Sequence, residues 1–178
     1  MNRRSRGFLC AVLLSAVLPP LAQAACKPNI PLTRPDARYV DNNDGTVTDT
    51  VTKLMWKQCA EGLSGAGCAT GSASDFTWAA ALQQAQTVNS GGGFAGHTDW
   101  RLPNFKELKS LIEIACYMPA INMTFFPATP SGGYLSVFWS SSPVALHLGY
   151  AWSVSFDFGA ESADGDGSYR VRLVRAGR

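Results

Sequence analysis

The stretch Asp99–Leu108, "DWRLPNFKEL", decides how this chain folds. Asn104 is a favourable helix N-cap, and Glu107 lies three residues later, as in a capping box. Pro103 precedes the cap and biases Leu102 towards an extended conformation. The stretch therefore predicts a short extended segment that leads directly into a helix.

The same stretch predicts a structural role rather than a reactive one. Trp100 and Leu102 alternate along the extended segment, so both side chains are available to the core. Arg101 then points to the opposite face, where an ion pair or backbone carbonyls can hold it. Beyond the cap, Leu108 and the pair 111–112 form the apolar stripe of the helix. We interpret the motif as a joint that identifies the fold.

On the N-terminal side, the pattern predicts a small antiparallel meander and a first helix. The predicted strands are 38–40, 46–48 and 54–56, and Asp-Gly at 44–45 supplies the tight turn. Residues 60–75 form a predicted surface loop. Thr77 caps a predicted helix that runs to about Val88. Its predicted buried face consists of Trp78, Ala81, Leu82, Ala85 and Val88.

On the C-terminal side, the pattern predicts further strands. Residues 137–140 form one, and residues 150–158 alternate as a half-buried strand whose aromatic residues face inward. In the last predicted strand, Tyr169, Val171 and Leu173 alternate with arginines. We predict a solvated face for Arg170, Arg172 and Arg175. The resulting class is α+β, with two helices and antiparallel β-sheets.

The N-terminus resembles a secretory signal peptide, with three arginines, an apolar run and a small-residue site. We predict a signal peptide over 1–24, a leader over 25–37 and one domain over 38–178. The apolar run is too short to be a membrane span of roughly 20 residues. The chain has 15 basic and 13 acidic residues. Without Arg3, Arg4 and Arg6 the balance is 12 to 13, a net charge of −1, which does not suggest a nucleic-acid partner.

Four cysteines remain after the predicted cleavage: Cys26, Cys59, Cys68 and Cys116. An even number in an exported chain favours disulfides, for which three pairings exist. We favour Cys59–Cys68, because the Gly-rich segment between them can close on itself, and this leaves Cys26–Cys116. No Cys-x-x-Cys spacing supports a zinc site.

The sequence offers little catalytic chemistry. His97 and His147 are the only imidazoles, and neither has a metal-ligand spacing or a Gly-x-Ser-x-Gly elbow to serve. The acidic turns 41–49 and 164–166 suggest calcium, but each lacks the first ligand of a calcium loop. Ordinary Asx and Gly turns explain them better, and an ion shared between loops stays the alternative. We therefore predict no cofactor and no catalytic residue.

Aromatic residues raise the alternative of a sugar-binding surface. Trp78 and Trp152 lie on predicted buried faces, so we assign them to the core. Tyr134, Phe138 and His147 lie in or near predicted loops, and they are the candidate ligand surface.

The chain resembles the Lcl C-terminal domain family of bacterial exported proteins, over about residues 38–176. The resemblance is carried by six segments in order: "DNNDGTVTDTVTKLMW", "TWAAALQQA", "HTDWRLPNFKELKSLI", "FWSSS", "YAWSVSFDFG" and "YRVRLVR". It implies a C-type-lectin-like fold related to the formylglycine-generating enzymes. However, no Cys follows Cys116 to form their copper-binding pair, no Gly-x-y stalk precedes the domain, and the Glu-Pro-Asn signature of calcium-dependent lectins is missing.

Together these features predict an exported, non-enzymatic binding module that attaches to or recognises a glycan or a protein. Its predicted location is the periplasm, the cell surface or the medium. A structural accessory of the cell envelope or a pilus is the first alternative. An enzyme on a formylglycine-generating-like scaffold is the second.

Overall fold

A computed structural model describes residues 24–177. Nearly all of the predicted signal peptide lies outside the described residues, and so does Arg178. The elements follow in the order β1 (Ala25–Cys26), β2 (Tyr39–Asp41), β3 (Thr46–Asp49), β4 (Leu54–Lys57), β5 (Leu63–Ser64), β6 (Thr70–Gly71), α1 (Trp78–Ser90), α2 (Phe105–Lys109), β7 (Cys116–Tyr117), β8 (Val137–Pro143), β9 (Ala151–Ser155), β10 (Ala160–Asp164) and β11 (Val174–Ala176).

The predicted meander is confirmed as part of a four-stranded antiparallel sheet in the order β11-β4-β3-β2. Trp56 lies opposite Val47 on one side and Val174 on the other, so these three side chains share one face. At the β2–β3 turn, Asn43 and Gly45 adopt positive φ angles of 60° and 83°. Glycine and asparagine tolerate this conformation better than other residues, which explains their place in the turn.

A second antiparallel sheet has the order β10-β9-β8. One predicted strand is shorter in the structure, and the last one is displaced along the chain. The alternating run 150–158 is a strand only from Ala151 to Ser155, and Phe158 lies beyond it, 70% exposed. The final strand spans Val174–Ala176, so Tyr169, Val171 and Leu173 precede it, although all three are buried. The inward face predicted for the aromatic residues of 150–158 is therefore only partly correct, because Tyr150 is also exposed, while Ala151, Ser153 and Asp157 on the opposite face are buried.

Both predicted helix starts are confirmed. The Thr77 hydroxyl accepts a hydrogen bond from the Ala80 N–H at the start of α1. The buried face of α1 is narrower than predicted, because Leu82 is 39% exposed. Helix α2 is a single short helix that ends at Lys109, so the buried residues at 111–112 belong to the segment after it.

Two buried clusters fill the molecule, one on each face of β8. Phe138 joins Trp56, Phe126 and Phe156 in the first cluster, against the four-stranded sheet. The next residue, Trp139, joins the second cluster, which contains the α1 alanines, Trp100 and Leu102. Adjacent strand residues point to opposite faces, so both clusters depend on β8 being covered on both sides.

The solvated face predicted for the C-terminal arginines is wrong, because Arg170, Arg172 and Arg175 are all buried. Arg170 pairs with Asp75 at 2.6 Å, and Arg175 pairs with Asp99 at 2.6 Å. These carboxylates come from distant parts of the chain and neutralise two of the three buried charges.

The predicted disulfides Cys26–Cys116 and Cys59–Cys68 are both present. The first anchors the leader, where β1 pairs with β7. Among the described residues, no helix is long and apolar enough to cross a membrane. The architecture is α+β with two helices and antiparallel sheets, as predicted, and the C-type-lectin-like detail stays a prediction.

Candidate functional site

The "DWRLPNFKEL" motif forms the predicted joint. The Asn104 side chain accepts from the Glu107 N–H at 2.9 Å, and Glu107 Oε2 accepts from the Asn104 N–H at 2.8 Å. Both halves of the capping box are therefore present. Glu107 also pairs with Arg101, which supplies the ion pair expected on the outer face. The polar groups of the motif are occupied with one another, so it offers little to a ligand.

The Trp100 side chain is buried beneath this joint. Its indole N–H donates to the Phe94 carbonyl at 3.0 Å, and its backbone N–H donates to Asn89 Oδ1 at 3.0 Å. Asn89 Nδ2 returns a hydrogen bond to the Trp100 carbonyl at 2.8 Å. Trp100 thus connects the end of α1 to the extended segment before α2.

The structure separates the three residues of the predicted ligand surface. Tyr134 is 81% exposed and His147 is also exposed, but Phe138 is completely buried. Phe138 as a ligand contact is therefore wrong, because its ring packs against Phe156 in the core, with centroids 5.2 Å apart. Tyr134 precedes β8 and His147 follows it. The seven residues of β8 separate them by roughly 20 Å along the strand.

His147 instead lies in an apolar loop between β8 and β9. Leu146 is 91% exposed and Leu148 is fully exposed, on either side of His147. The imidazole contacts the ring of Tyr150, with centroids 5.7 Å apart. We call residues 144–150 the hairpin tip. It presents apolar side chains to solvent, which is typical of contact surfaces.

A more enclosed site lies beside the leader. We call it the leader cleft, and its volume is about 560 Å³. Among the residues that line it are Leu32, Arg34, Asp36, Ile121, Asn122 and Met123. The Asn122 side chain donates to Asp36 Oδ1 at 2.7 Å and to the Arg34 carbonyl at 3.0 Å. These hydrogen bonds hold the leader against the segment after β7 and so form a cleft with largely apolar walls, which is typical of ligand-binding sites.

Glu113 holds in place the leader residues that line this cleft. Its buried carboxylate accepts from the Thr33 N–H and hydroxyl, both at 3.0 Å, and from the N–H groups of Arg34 and Ala115. Burial opposes ionisation of Glu113, but the N–H donors of Thr33, Ala115 and Arg34 outweigh it and hold its pKa below the usual range. Glu113 is thus an anchor for the leader, with its acceptor positions occupied.

A second site lies at the β2–β3 turn. We call it the turn cleft, and its volume is about 670 Å³. Among its lining residues are Asp41, Asn43, Asp44, Lys57, Gln58 and Phe94. The Lys57 ammonium lies 4.4 Å from the centroid of the Phe94 ring and pairs with Glu61 at 2.6 Å. The exposed side chains at 41, 43 and 44 are polar and face solvent at the β2–β3 turn.

The two clefts meet. Gly67, Thr124 and Pro127 line both of them, so the cleft volumes share a common wall. Gly67 belongs to the loop closed by the Cys59–Cys68 disulfide. We call these two adjacent clefts the joined clefts; both have largely apolar walls, and the turn cleft adds the exposed polar side chains of Asp41, Asn43 and Asp44.

The sequence alone does not predict this surface. Its lining residues come from five segments that are far apart in the chain: the leader, the β2–β3 turn, the stretch from the end of β4 through the disulfide loop, the loop after α1 and the segment around and after β7. No local motif brings them together. The sequence signals near it are the acidic turn at 41–49 and the Gly-rich disulfide loop.

A shared calcium site gains no support from the carboxylate geometry. Asp44 Oδ1 accepts from the Thr46 N–H at 3.0 Å, and Asp164 accepts from the Tyr169 hydroxyl and the Asp166 N–H. The Tyr169 hydrogen bond lowers the pKa of Asp164. Within residues 24–177, no group of three or more His, Cys, Asp or Glu side chains is arranged to hold a metal ion.

Comparison with known proteins gives a family match. The model of the Lcl C-terminal domain family matches residues 45–175, which is most of the chain and includes both helices and nine of the strands from β3 to β11. No curated protein matches the chain significantly.

Proposed function

The chain belongs to the Lcl C-terminal domain family, and we propose that it is an exported, non-enzymatic binding module that holds an oligosaccharide in the joined clefts. The observation that carries this proposal is the meeting of the leader cleft and the turn cleft at Gly67, Thr124 and Pro127.

The chemistry of the joined clefts suits a sugar chain. Sugars present hydroxyl groups that both donate and accept hydrogen bonds, together with apolar C–H faces. The turn cleft supplies carboxylate and amide groups from Asp41, Asn43 and Asp44, and the leader cleft supplies the apolar side chains of Leu32 and Met123. An elongated ligand that contacts both clefts gains from both kinds of contact.

Export is supported by the N-terminal sequence and by two disulfides, which persist in oxidising compartments. The non-enzymatic part of the proposal makes a prediction about the two histidines. In the described part of the chain, neither the His97 nor the His147 side chain makes a hydrogen bond or an ion pair. We expect alanine at both positions to leave ligand binding unchanged.

The test is a glycan and glycosaminoglycan array, probed with the purified protein in calcium and again in EDTA. We expect retention of at least one oligosaccharide class in both conditions, since the clefts supply their polar groups without a metal. Failure to retain any sugar or polyanion would remove the glycan proposal. Binding in calcium but not in EDTA would support the alternative of a calcium ion shared between the two acidic turns.

A variant at the junction tests whether the joined clefts are the site. Thr124 is exposed and lines both clefts, so Thr124→Trp should fill the junction and abolish array binding. Thr87→Trp is the matched control, because Thr87 is an exposed residue on α1. Equal binding by the two variants would place the ligand elsewhere.

The hairpin tip favours a second candidate, a structural accessory of the cell envelope. Its exposed Leu146 and Leu148 are suited to contact with a partner protein. Co-purification from envelope fractions after cross-linking tests this candidate. A partner that the wild-type chain retains and Leu146→Ser/Leu148→Ser loses would support it. Recovery of the same proteins by both chains would count against it.

A further inference from the structure

Arg172 is the one member of the buried C-terminal arginines whose charge lacks a carboxylate in the described residues. Arg170 and Arg175 pair with aspartates at 2.6 Å each. Arg172 is completely buried, and its single hydrogen bond within residues 24–177 runs from Nη2 to Thr129 Oγ1 at 2.9 Å. An isolated buried charge is costly unless something compensates it.

Aromatic rings compensate part of the charge. The guanidinium carbon lies 4.8 Å from the centroid of Phe126 and 5.5 Å from that of Phe138. Such contacts satisfy the flat faces of the guanidinium. They leave its N–H edges unsatisfied, since Nε and Nη1 are buried without a hydrogen-bond partner among the described residues.

Two further polar groups in the core also lack a hydrogen-bond partner. Tyr39 Oη and Trp56 Nε1 are buried and unpartnered within the described chain. Trp56 lies opposite Val174, two residues from Arg172, and the Tyr39 ring contacts Phe126 at 5.4 Å between centroids. Tyr39, Trp56 and Phe126 belong to one core cluster, and Arg172 lies against its Phe126 and Phe138 rings.

We propose that the unpartnered N–H groups of Arg172 hold a buried monovalent anion of about the size of chloride. The unpartnered groups are mostly donors: the guanidinium N–H groups, the indole N–H and the phenol O–H. A species that only accepts hydrogen bonds and carries one negative charge compensates the guanidinium and accepts from one of its unpartnered N–H edges. A water molecule brings its own hydrogens and leaves the charge uncompensated.

The charge of Arg172 persists at neutral pH. Burial lowers the pKa of Arg172 to about 9, and the nearby Tyr39 opposes this shift. A pKa of about 9 still leaves the guanidinium protonated at pH 7. The anion site lies in the core and is independent of the proposed ligand clefts, so its test does not depend on glycan binding.

Bromide replaces chloride and gives an anomalous X-ray signal, so crystals of the purified protein grown in bromide locate the anion directly. We expect an anomalous peak within hydrogen-bond distance of Arg172 Nε or Nη1. A water without anomalous signal at this position overturns the proposal. Peaks confined to surface lysines and arginines overturn it too, because they show an adventitious ion only.

Thermal unfolding gives an independent readout. An anion that binds only the folded state at about ten times its Kd raises Tm by roughly 3–6 °C. We expect this rise in bromide or chloride relative to gluconate at equal ionic strength. Two variants complete this test. Arg172→Met should show no difference in Tm between the halide salts and gluconate, whereas Arg175→Met, which removes a paired arginine, should retain that difference.

Equal Tm values in all salts for the wild-type chain, or a retained Tm rise in Arg172→Met, contradict the proposal. If Arg172→Met fails to fold, the bromide peak in wild-type crystals decides.

Discussion

Arg101 and Glu107 form a two-pronged ion pair, in which Nη1 and Nη2 of Arg101 donate to the two carboxylate oxygens of Glu107, each at 2.7 Å. Glu107 Oε2 also accepts the N–H of the cap residue, Asn104. One carboxylate therefore joins the extended segment before α2 to the first turn of that helix. This arrangement makes the motif a joint and accounts for its sequence.

The cap is the first testable part of the joint. Asn104→Ala removes the acceptor of the Glu107 N–H and should lower the free energy of unfolding by about 1 kcal/mol. Asn104→Asp is the control and should retain most of the stability, because aspartate caps equally well. Urea denaturation measures both. An unchanged unfolding midpoint for Asn104→Ala would show that the cap contributes nothing.

The ion pair predicts a pH dependence. Burial would raise the pKa of Glu107, but the hydrogen bonds from Arg101 and Asn104 outweigh it and hold the pKa below its usual range. A lowered folded-state pKa gives stability that is present above the unfolded value, about 4.3, and lost as the pH falls through the folded value. The stability difference between wild type and Glu107→Gln should therefore be largest at neutral pH and shrink below about pH 4.

The control for this prediction is an Arg101→Met background. Without the guanidinium, Glu107→Gln should cost less at pH 7, and the difference between the two backgrounds measures the coupling of the pair. A cost that is the same in both backgrounds and constant from pH 7 to pH 3 would contradict the assigned role of Glu107.

The core beneath the joint gives a larger effect. Trp100 is 2% exposed, and Trp100→Ala should lower the free energy of unfolding by about 3–5 kcal/mol through loss of apolar contacts and the cavity left behind. Leu82→Ala on α1 is the contrast, expected within about 0.5 kcal/mol because Leu82 is substantially exposed. Thermal melting compares them. Similar small losses for both would show that Trp100 is not a core residue.

The two disulfides should differ in their contribution. Cys26–Cys116 spans 90 residues and Cys59–Cys68 spans nine. On the chain-entropy model, closing these loops is worth about 4.6 and about 2.7 kcal/mol. Replacing both cysteines of a pair by serine should therefore destabilise the protein more for Cys26–Cys116. Denaturant unfolding of the two double variants tests this, and the opposite order would contradict the entropic account.

Local signals predicted the helix starts, the meander and the Cys59–Cys68 disulfide, because the residues involved are near neighbours in the chain. The Cys26–Cys116 disulfide followed from them only by elimination. Local signals failed where packing between segments that are distant in the chain determines whether a side chain is buried. The alternation of arginines with apolar residues is typical of a half-exposed strand. Here both faces are covered, and Asp75 and Asp99 reach Arg170 and Arg175 from remote segments.

Packing between distant segments also explains why the candidate site could not be predicted from the sequence. Phe138 lies beside a predicted loop, but the coverage of both faces of β8 buries it. The joined clefts combine residues from five separate segments, and their spacing in the chain carries no periodic or motif signal. Tyr134 and His147 are exposed as predicted, yet the length of β8 keeps them apart.

The central claim is that the ligand occupies the joined clefts. Amide chemical-shift mapping of the nitrogen-15-labelled protein, titrated with the oligosaccharide that the array retains, tests it most directly. We predict that the largest shifts fall on Gly67, Phe94 and Thr124, around the junction and the turn cleft. Shifts that instead cluster at Leu146, His147 and Leu148, with the junction amides unmoved, would contradict the claim and assign binding to the hairpin tip.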